Sequence, residues 1–454
     1  MFKKIIITLS LFTCVCSMQA QVWTRLLDSV PGIFQVTTQV KDSINNILYL
    51  GGRINTTNDK FCYGVTKYNG SNFDSLQSGV QGSFGTVQSM QMFQNKLYVF
   101  GSFFTTGKYY SPFIGRWNGA SWDSLNFKLN QPAFWSDVYN NELYVSGWFD
   151  TIAGQPIKRV AKFDGTNWHD LSFPFADMTG AIKVYKNIVY VTSYTGLWQY
   201  SSNTWTHLAD CGGDMYRAVF GMNEIDGLLY IYGRFNSLGG VNSKGIVAFD
   251  GVKWYGLGQG MSYSGYEVIN NVQKIDGKIY ITGNFENIEG IGNSTPNENT
   301  NYAVLDSNQW CIKSPPFDNA SFGVVKYNGN LHIYGAFKKC GADTIFGFAK
   351  WNGGTSTLAC SNTFSISNTY VGLNEISVSD NIKIYPNPIT SIINLVDENN
   401  QLQNSTIEIQ NYLGVLVYSS SFTSQINLSS LSSGMYFLII KDKAIRKTIK
   451  IIRE

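Results

Sequence analysis

Catalysis near neutral pH draws most often on histidine, and this chain of 454 residues has three: His169, His207 and His332. His169 and His207 lie close to Trp168 and Trp205 in alternating segments, which predicts solvent-facing strand positions. His332 stands where other copies of a repeat carry Tyr. A copper-radical centre would need two His beside a Tyr–Cys pair, and three scattered His do not supply it. No Cys-x-x-Cys is present, which disfavours zinc. No Ser-His-Asp order, Gly-rich phosphate loop or Asp-x-Asp-x-Asp-Gly calcium loop occurs. The 31 Asp and Glu residues leave one arrangement open, a carboxylate pair across a pocket as in glycoside hydrolysis. No cofactor or metal is expected, and enzymatic activity is left open with binding preferred.

The chain has 7 cysteines. Cys14 and Cys16 fall in a leader, leaving Cys62, Cys211, Cys311, Cys340 and Cys360, an odd and scattered set. Cys340 with Cys360, both near the last repeat, is the expected pair. Charged residues make up 14% of the chain, against about 25% in an average domain. Net charge is +3 with no long basic run before residue 360, so no nucleic-acid partner is expected.

These residues are carried by a repeat. An apolar pair followed after two residues by Gly begins at Leu48, Leu97, Leu143, Val189, Leu229, Ile279 and Leu331. Its second residue is Tyr49, Tyr98, Tyr144, Tyr190, Tyr230, Tyr280 and, exceptionally, His332. The Gly is Gly52, Gly101, Gly147, Gly233, Gly283 and Gly335, with Ser193 in the fourth copy. Successive copies lie 40 to 52 residues apart, the period of four-stranded propeller blades. Asn45-Asn46, Gln94-Asn95, Asn140-Asn141, Lys186-Asn187, Asp226-Gly227, Asp276-Gly277 and Asn328-Gly329 precede these strands, and Asn69-Gly70, Asn118-Gly119, Asp164-Gly165, Asp250-Gly251 and Asn352-Gly353 follow the third strand. Both sets predict two-residue hairpins. Phe73, Trp122, Trp168, Trp205, Trp254 and Trp310 recur in the fourth strand, and such regular spacing predicts packing between units rather than a binding ladder.

The run Phe249 to Gly258, Phe-Asp-Gly-x-x-Trp-x-x-Leu-Gly, resembles bacterial kelch-like repeats and those of fungal cortical polarity-marker proteins. The general pattern is similar to kelch repeats of galactose-oxidase-like propellers. The resemblance covers about residues 22–360 and implies a fold, not an activity.

Before the repeats, Lys3 and Lys4 precede an apolar run from Ile5 to Cys16, too short to span a bilayer. With Met18-Gln19-Ala20 this reads as a signal peptide, residues 1–20, cleaved between Ala20 and Gln21. Lipid attachment at Cys14 or Cys16 is the alternative. No other segment of the mature chain is long and apolar enough for a membrane helix. Trp23 and Leu26 fit the fourth-strand pattern with no strands before them, while Ser356 stands where the last unit should have Trp. Residues 22–27 should therefore complete the last blade, with residues 355–360 as competitor.

Residues 361–381, rich in Ser, Asn and Thr, read as a linker, and 382–454 as a small β-sandwich of short alternating strands. Tyr385-Pro386-Asn387-Pro388, then Gly414, Gly434, Tyr436 and a basic end with Lys447, resemble the C-terminal sorting domain of type IX secretion substrates of Bacteroidetes. That resemblance implies a partner, the type IX machinery contacted through residues 382–454. It also implies delivery through the periplasm to the outer-membrane surface or the medium.

The expected fold is all-β: a seven-bladed β-propeller over residues 21–360 followed by a small C-terminal Ig-like β-sandwich. The expected role is a non-catalytic module for an extracellular glycan or protein. The alternatives are a carbohydrate-active enzyme with carboxylates in the central pocket and a structural or adhesive surface protein. The variable connections, opposite the tight turns, carry the candidate binding residues Tyr109, Tyr110, Trp135, Tyr216, Arg217, Tyr263 and Tyr266.

Overall fold

Six two-residue turns set the register of the chain. Gln94-Asn95, Asn140-Asn141, Lys186-Asn187, Asp226-Gly227, Asp276-Gly277 and Asn328-Gly329 all have both φ angles positive, between 47° and 79°. This geometry matches the right-handed twist of the strands it joins. Sheet one differs: residues 43–46 form a four-residue loop, and the Asp42 carboxylate accepts from the Ile44 and Asn45 amides at 3.0 Å.

The second set of turns corrects the expectation of two-residue hairpins. Tyr68 pairs with Phe73, Phe163 with Trp168 and Phe249 with Trp254, so four residues intervene. The first of the four accepts hydrogen bonds on its own side chain: the amides of Ser71 and Asn72 donate to Asn69 Oδ1, those of Thr166 and Asn167 to Asp164 Oδ1. Gly70, Gly119, Gly165 and Gly251 follow with φ of 100° or 101°. Asn or Asp is used here for its acceptor, and Gly for the left-handed step.

The computed structural model describes residues 23–26, 34–57, 60–82, 85–174, 179–193, 196–210, 218–261, 267–292, 300–312, 315–353, 359–363, 367–370, 382–397, 405–411, 416–441 and 446–454. The protein is all-β, with no helix among the described residues. None is therefore long and apolar enough to cross a membrane. Two units are present, Met1–Tyr370 and Val371–Glu454.

Among the described residues the first unit contains seven principal antiparallel sheets in chain order, beside smaller two- and three-stranded ones. Their first strands are Phe34–Asp42, Thr86–Phe93, Ala133–Tyr139, Thr179–Tyr185, Ala218–Ile225, Val268–Ile275 and Ser321–Tyr327. Each first strand lies against the first strand of the next sheet, and Ser321–Tyr327 comes back to Phe34–Asp42. The apolar core lies between adjacent sheets: Leu97 and Trp122 pack with Tyr49 and Leu76, and Trp310 packs with Leu257 and Tyr230. The repeated tryptophans add a polar link. The indole of Trp122 donates to Leu76 O at 2.9 Å, Trp205 to Leu171 O at 2.7 Å and Trp310 to Leu257 O at 3.3 Å. These side chains thus join one sheet to the one before it, as identical spacing requires.

The connections between second and third strands, expected as open loops, hold small hairpins. Thr105–Thr106 pairs with Tyr109–Tyr110, Thr151–Ile152 with Gln155–Pro156, and Lys339–Cys340 with Asp343–Thr344.

Trp23–Arg25 completes sheet seven, pairing with Phe348–Trp351 in the register Trp23↔Trp351. The competing segment goes elsewhere: Ala359–Cys360 adds a fifth strand to sheet six beside Gln309–Ile312. There Cys360 forms a disulfide with Cys311. This corrects the expected Cys340–Cys360 pair. Register places Cys360 directly opposite Cys311, while Cys340 is buried with its thiol donating to Pro315 O at 3.4 Å. Part of the stretch expected as linker is also strand: Ser367–Tyr370 pairs with Lys253–Gly256 of sheet five.

His332 is 2% exposed and stacks on Phe348 with ring centroids 5.1 Å apart. Burial pushes its pKa down from 6.5 to about 4. The unfolded chain takes up this proton near 6.5 and the folded chain only near 4. Stability is therefore full above the upper value and falls as pH drops through that window, by up to about 3 kcal/mol. His332→Tyr, which restores the repeat residue, is expected to flatten this part of the acid slope in melting temperature. An unchanged slope would assign it to other groups.

The second unit has a three-stranded sheet, in which Ile392–Asp397 pairs with Ile382–Tyr385 and Gln425–Asn427. Its four-stranded sheet has the order Leu416–Ser421, Thr406–Asn411, Gly434–Lys441, Arg446–Arg453. Ile393, Leu395 and Ile426 of the first pack with Ile407, Leu438 and Ile440 of the second.

Candidate functional site

Every first strand of the seven sheets carries one extra residue opposite its partner strand. The register shifts fall at Thr37, Gln88, Phe134, Phe220, Asn270 and Phe322, and across Gly180-Ala181 in sheet four. Such bulges bend a strand and re-aim a side chain. The repeated Gly is what permits them. A Cβ on Gly52, Gly101, Gly147, Gly283 or Gly335 would stand 2.0 to 2.4 Å from a backbone carbonyl oxygen of the facing first strand or of the residue just before it. Sheet four, where Ser193 replaces that Gly, has moved the small residue across the ladder: a Cβ on Gly180 would lie 2.5 Å from Thr192 Oγ1.

The bulges converge on one cavity of about 320 Å³. Thr37, Gln88, Phe134, Ala181, Phe220, Asn270 and Phe322 all line it, one from each sheet. Gln39, Gln91, Asn223, Asn271 and Gln273 add amides, and Tyr232 and Tyr334 add phenols. Among the described lining residues none is Asp, Glu, Lys, Arg or His. Burial raises the Tyr232 and Tyr334 pKa values well above the ordinary phenol range, so both remain protonated. Gly221 and Gly323 make room for these phenols: a Cβ there would come within 2.4 and 2.2 Å of the Tyr232 and Tyr334 hydroxyls.

Several lining amides also tie sheet to sheet. Gln91 Nε2 donates to Ser136 O at 2.9 Å, Asn223 Nδ2 to Val272 O at 2.7 Å and Asn270 Nδ2 to Ser321 O at 3.1 Å. One amide hydrogen is so committed, and each side chain retains its carbonyl and a second N–H for another partner. Gln88 does the reverse, its Oε1 accepting from the Ser102 amide at 3.1 Å.

An open aromatic hollow of about 330 Å³ adjoins the cavity, lined by Gln88, Phe134, Trp135 and Trp148. Phe134 meets Trp148 edge-on at 4.8 Å and Trp135 at 5.7 Å. The Trp135 indole donates to Phe220 O at 3.3 Å. A third hollow of about 220 Å³, lined by Gln35, Thr37, Arg53, Thr86, Gln88 and Ser102, shares Gln88 and Thr37 with the cavity. All three open where first strands begin and second strands end, away from the two-residue turns.

Of the residues expected to bind, Trp135 lines the cavity. Tyr109 and Tyr110 do not. They sit in a side hairpin, with Lys108 Nζ 5.4 Å from the Tyr109 ring and Lys128 Nζ 5.0 Å from that of Tyr110. Tyr216, Arg217, Tyr263 and Tyr266 lie outside the described residues, as do Ala20, Gln21 and Gly414. His169 and His207 are paired with Asp164 at 2.7 Å and Asp210 at 3.3 Å, and neither lines the cavity. No group of three or more His, Cys, Asp and Glu that could hold a metal occurs among the described residues.

In the second unit, motif residues far apart in sequence meet. The bonds preceding Pro386 and Pro388 are cis. Asn387 Oδ1 accepts from the Ile452 amide at 2.9 Å, and Ile389 N donates to Ile452 O at 2.7 Å. Gly434 pairs with Arg453, Tyr436 with Ile451 and Lys447 with Ile440. Tyr436 also donates its hydroxyl to Ser432 O at 2.9 Å.

Residues 383–454 match the family described as secretion system C-terminal sorting domain. Among curated proteins none matches the chain. Solved structures with some likeness include two of an extracellular domain from a one-component or hybrid two-component system of B. thetaiotaomicron. They are 11% and 12% identical, with TM-scores of 0.41 and 0.43. In both the match covers 95% of this chain and 58% of the other, so the chain spans under two thirds of those proteins. The computationally designed Ika8 protein matches at 12% identity and TM-score 0.40, over 72% of this chain and 99% of its own. The C-terminal match makes residues 383–454 a sorting domain of the type IX secretion system, which directs the protein to the cell surface or the outside of the cell.

Proposed function

We propose that the first unit is a seven-bladed, kelch-like propeller that serves as a binding module, displayed outside the cell after sorting by an Ig-like second unit. The cyclic contacts of the seven first strands support the propeller reading. The lining of the central cavity carries the binding reading. Glycoside hydrolysis requires a carboxylate pair at the reacting bond, and the described lining offers amides, hydroxyls and aromatics instead. Concave sites with aromatic walls and a few fixed polar groups suit recognition. The ligand, a glycan or a protein, enters from the face bearing the long connections. Trp135 lies there, and Tyr216, Arg217, Tyr263 and Tyr266, outside the described residues, are the further candidates. Tyr109 and Tyr110 belong to the periphery of that face.

Trp135→Ala combined with Tyr216→Ala and Tyr263→Ala is expected to abolish binding while leaving the protein folded. Full binding by the triple variant would move the site to the opposite face.

A second experiment addresses export. A chain ending at residue 381 is expected to fold and to accumulate in the periplasm. Its arrival at the surface in normal amount would remove the sorting role from residues 382–454.

A further inference from the structure

Resting on the reading of the cavity as a binding site, the geometry points to a neutral saccharide end as its ligand, clasped by the ring of bulge residues. The first argument is charge. A sulfated, phosphorylated or uronic-acid ligand is ordinarily met by Arg or Lys. The described cavity lining has none, and a buried anion without a partner is strongly disfavoured. A lysine-rich peptide would want carboxylates, which are equally missing from the described lining.

The second argument is the polarity of the hydrogen-bonding groups. Gln91, Asn223 and Asn270 each spend one amide hydrogen on the neighbouring sheet and retain a carbonyl acceptor and a second N–H. Neutral carbonyl acceptors in a chamber whose described lining is without charge select a ligand rich in neutral donors. Sugar hydroxyls are such donors, and each can also accept from the protonated Tyr232 or Tyr334.

The third argument is shape. The hollow of Phe134, Trp135 and Trp148 joins the cavity through Gln88 and Phe134, so a polar chamber continues into an aromatic shelf. Trp148 is 37% exposed and Phe220 42% exposed. Large rings left open beside a polar chamber can cover the C–H face of a pyranose, whose hydroxyls then point to the amides. A terminal residue would sit in the chamber with the next on the shelf. Because each sheet delivers one bulge side chain, the specificity of the chamber is set by seven positions that vary while the Gly-permitted backbone stays constant.

The test is calorimetric titration of the full mature chain with neutral oligosaccharides of glucose, mannose, galactose and N-acetylglucosamine, alongside sialyllactose and oligogalacturonate. Saturable binding of at least one neutral oligosaccharide is expected, insensitive to added salt. Trp148→Ala and Phe134→Ala should each weaken it about tenfold or more, a loss in the range of one aromatic contact. Gln273→Glu, which keeps shape and adds charge to a lining amide, should weaken it further at an unchanged melting temperature. No binding of any neutral oligosaccharide at millimolar concentration, or salt-sensitive binding of the acidic sugars alone, overturns the saccharide assignment. In that case a ligand of another class whose binding is lost in the Trp135 triple variant would leave the broader reading standing. Neutral sugar binding that survives Trp148→Ala and Phe134→Ala places the sugar elsewhere and overturns both.

Discussion

Trp23→Ala is expected to destabilise the first unit by about 3–5 kcal/mol, the range for removing a large buried aromatic. Trp23 is 1% exposed and lies against Tyr302, Phe317 and Trp351, with ring centroids 5.8, 6.0 and 4.9 Å away. It thus touches sheet six through Tyr302 and its own sheet through Trp351. The strand carrying it has three residues, so the indole supplies much of what anchors the strand. Losing it leaves a cavity and frees Phe348–Trp351 as an open edge, which invites pairing with another chain. The measurement is chemical unfolding together with light scattering. The variant should unfold at lower denaturant and form larger species on warming. Thr24→Ala, on the half-buried neighbour, is the control and should change little. A Trp23→Ala protein as stable and monodisperse as the parent would show that sheet seven does not need this strand.

The second large effect is expected at the disulfide. Cys311 and Cys360 are 49 residues apart, and closing a loop of that length removes about 4 kcal/mol of unfolded-state entropy on the chain-entropy account. Without the bond, Ala359–Cys360 would be held by two register pairs and by Ser361, whose amide donates to Trp310 O at 2.9 Å and whose hydroxyl accepts from the Trp310 amide at 3.1 Å. Cys360→Ser, or reduction of the parent, is expected to lower the melting temperature. It should also expose the stretch after Trp351 to limited proteolysis before the rest of the unit opens. Unchanged cleavage on reduction would mean that the strand pairs hold the segment unaided. An exported protein meets the oxidising conditions in which such a bond persists.

The repeat made much of this fold legible in advance. Asn or Gly in the second place of the six two-residue turns favours the positive φ found there. The spacing of Trp122, Trp205 and Trp310 foretold packing between sheets, because a contact made in every unit must recur in every unit. The Gly after each Tyr was visible too, but its purpose was not. It read as a strand end, whereas it clears space for a bulge whose extra residue lies on the preceding strand, many positions earlier. No local pattern marks Thr37, Gln88, Phe134, Asn270 and Phe322 as equivalent, since their chemistry differs while their backbone geometry agrees. The Cys311–Cys360 pairing was hidden for a related reason. It depends on where a segment with no repeat pattern is laid, and sequence proximity favoured Cys340.

The route of the chain after the last sheet has a mechanical consequence. From sheet seven it runs back along the outer edge of sheet six and then of sheet five before reaching residue 371. An export machine that grips the C-terminal unit and pulls would first load the four register pairs of Ser367–Tyr370. Beyond them the force passes into the covalent Cys311–Cys360 bond, which hands it to Gln309–Ile312, the fourth strand of sheet six. The strand that completes sheet seven bears none of it. The tail is a strain-relief loop of the kind used on a cable, and translocation tension is taken up at a crosslink while the seam between the first and last sheets stays slack.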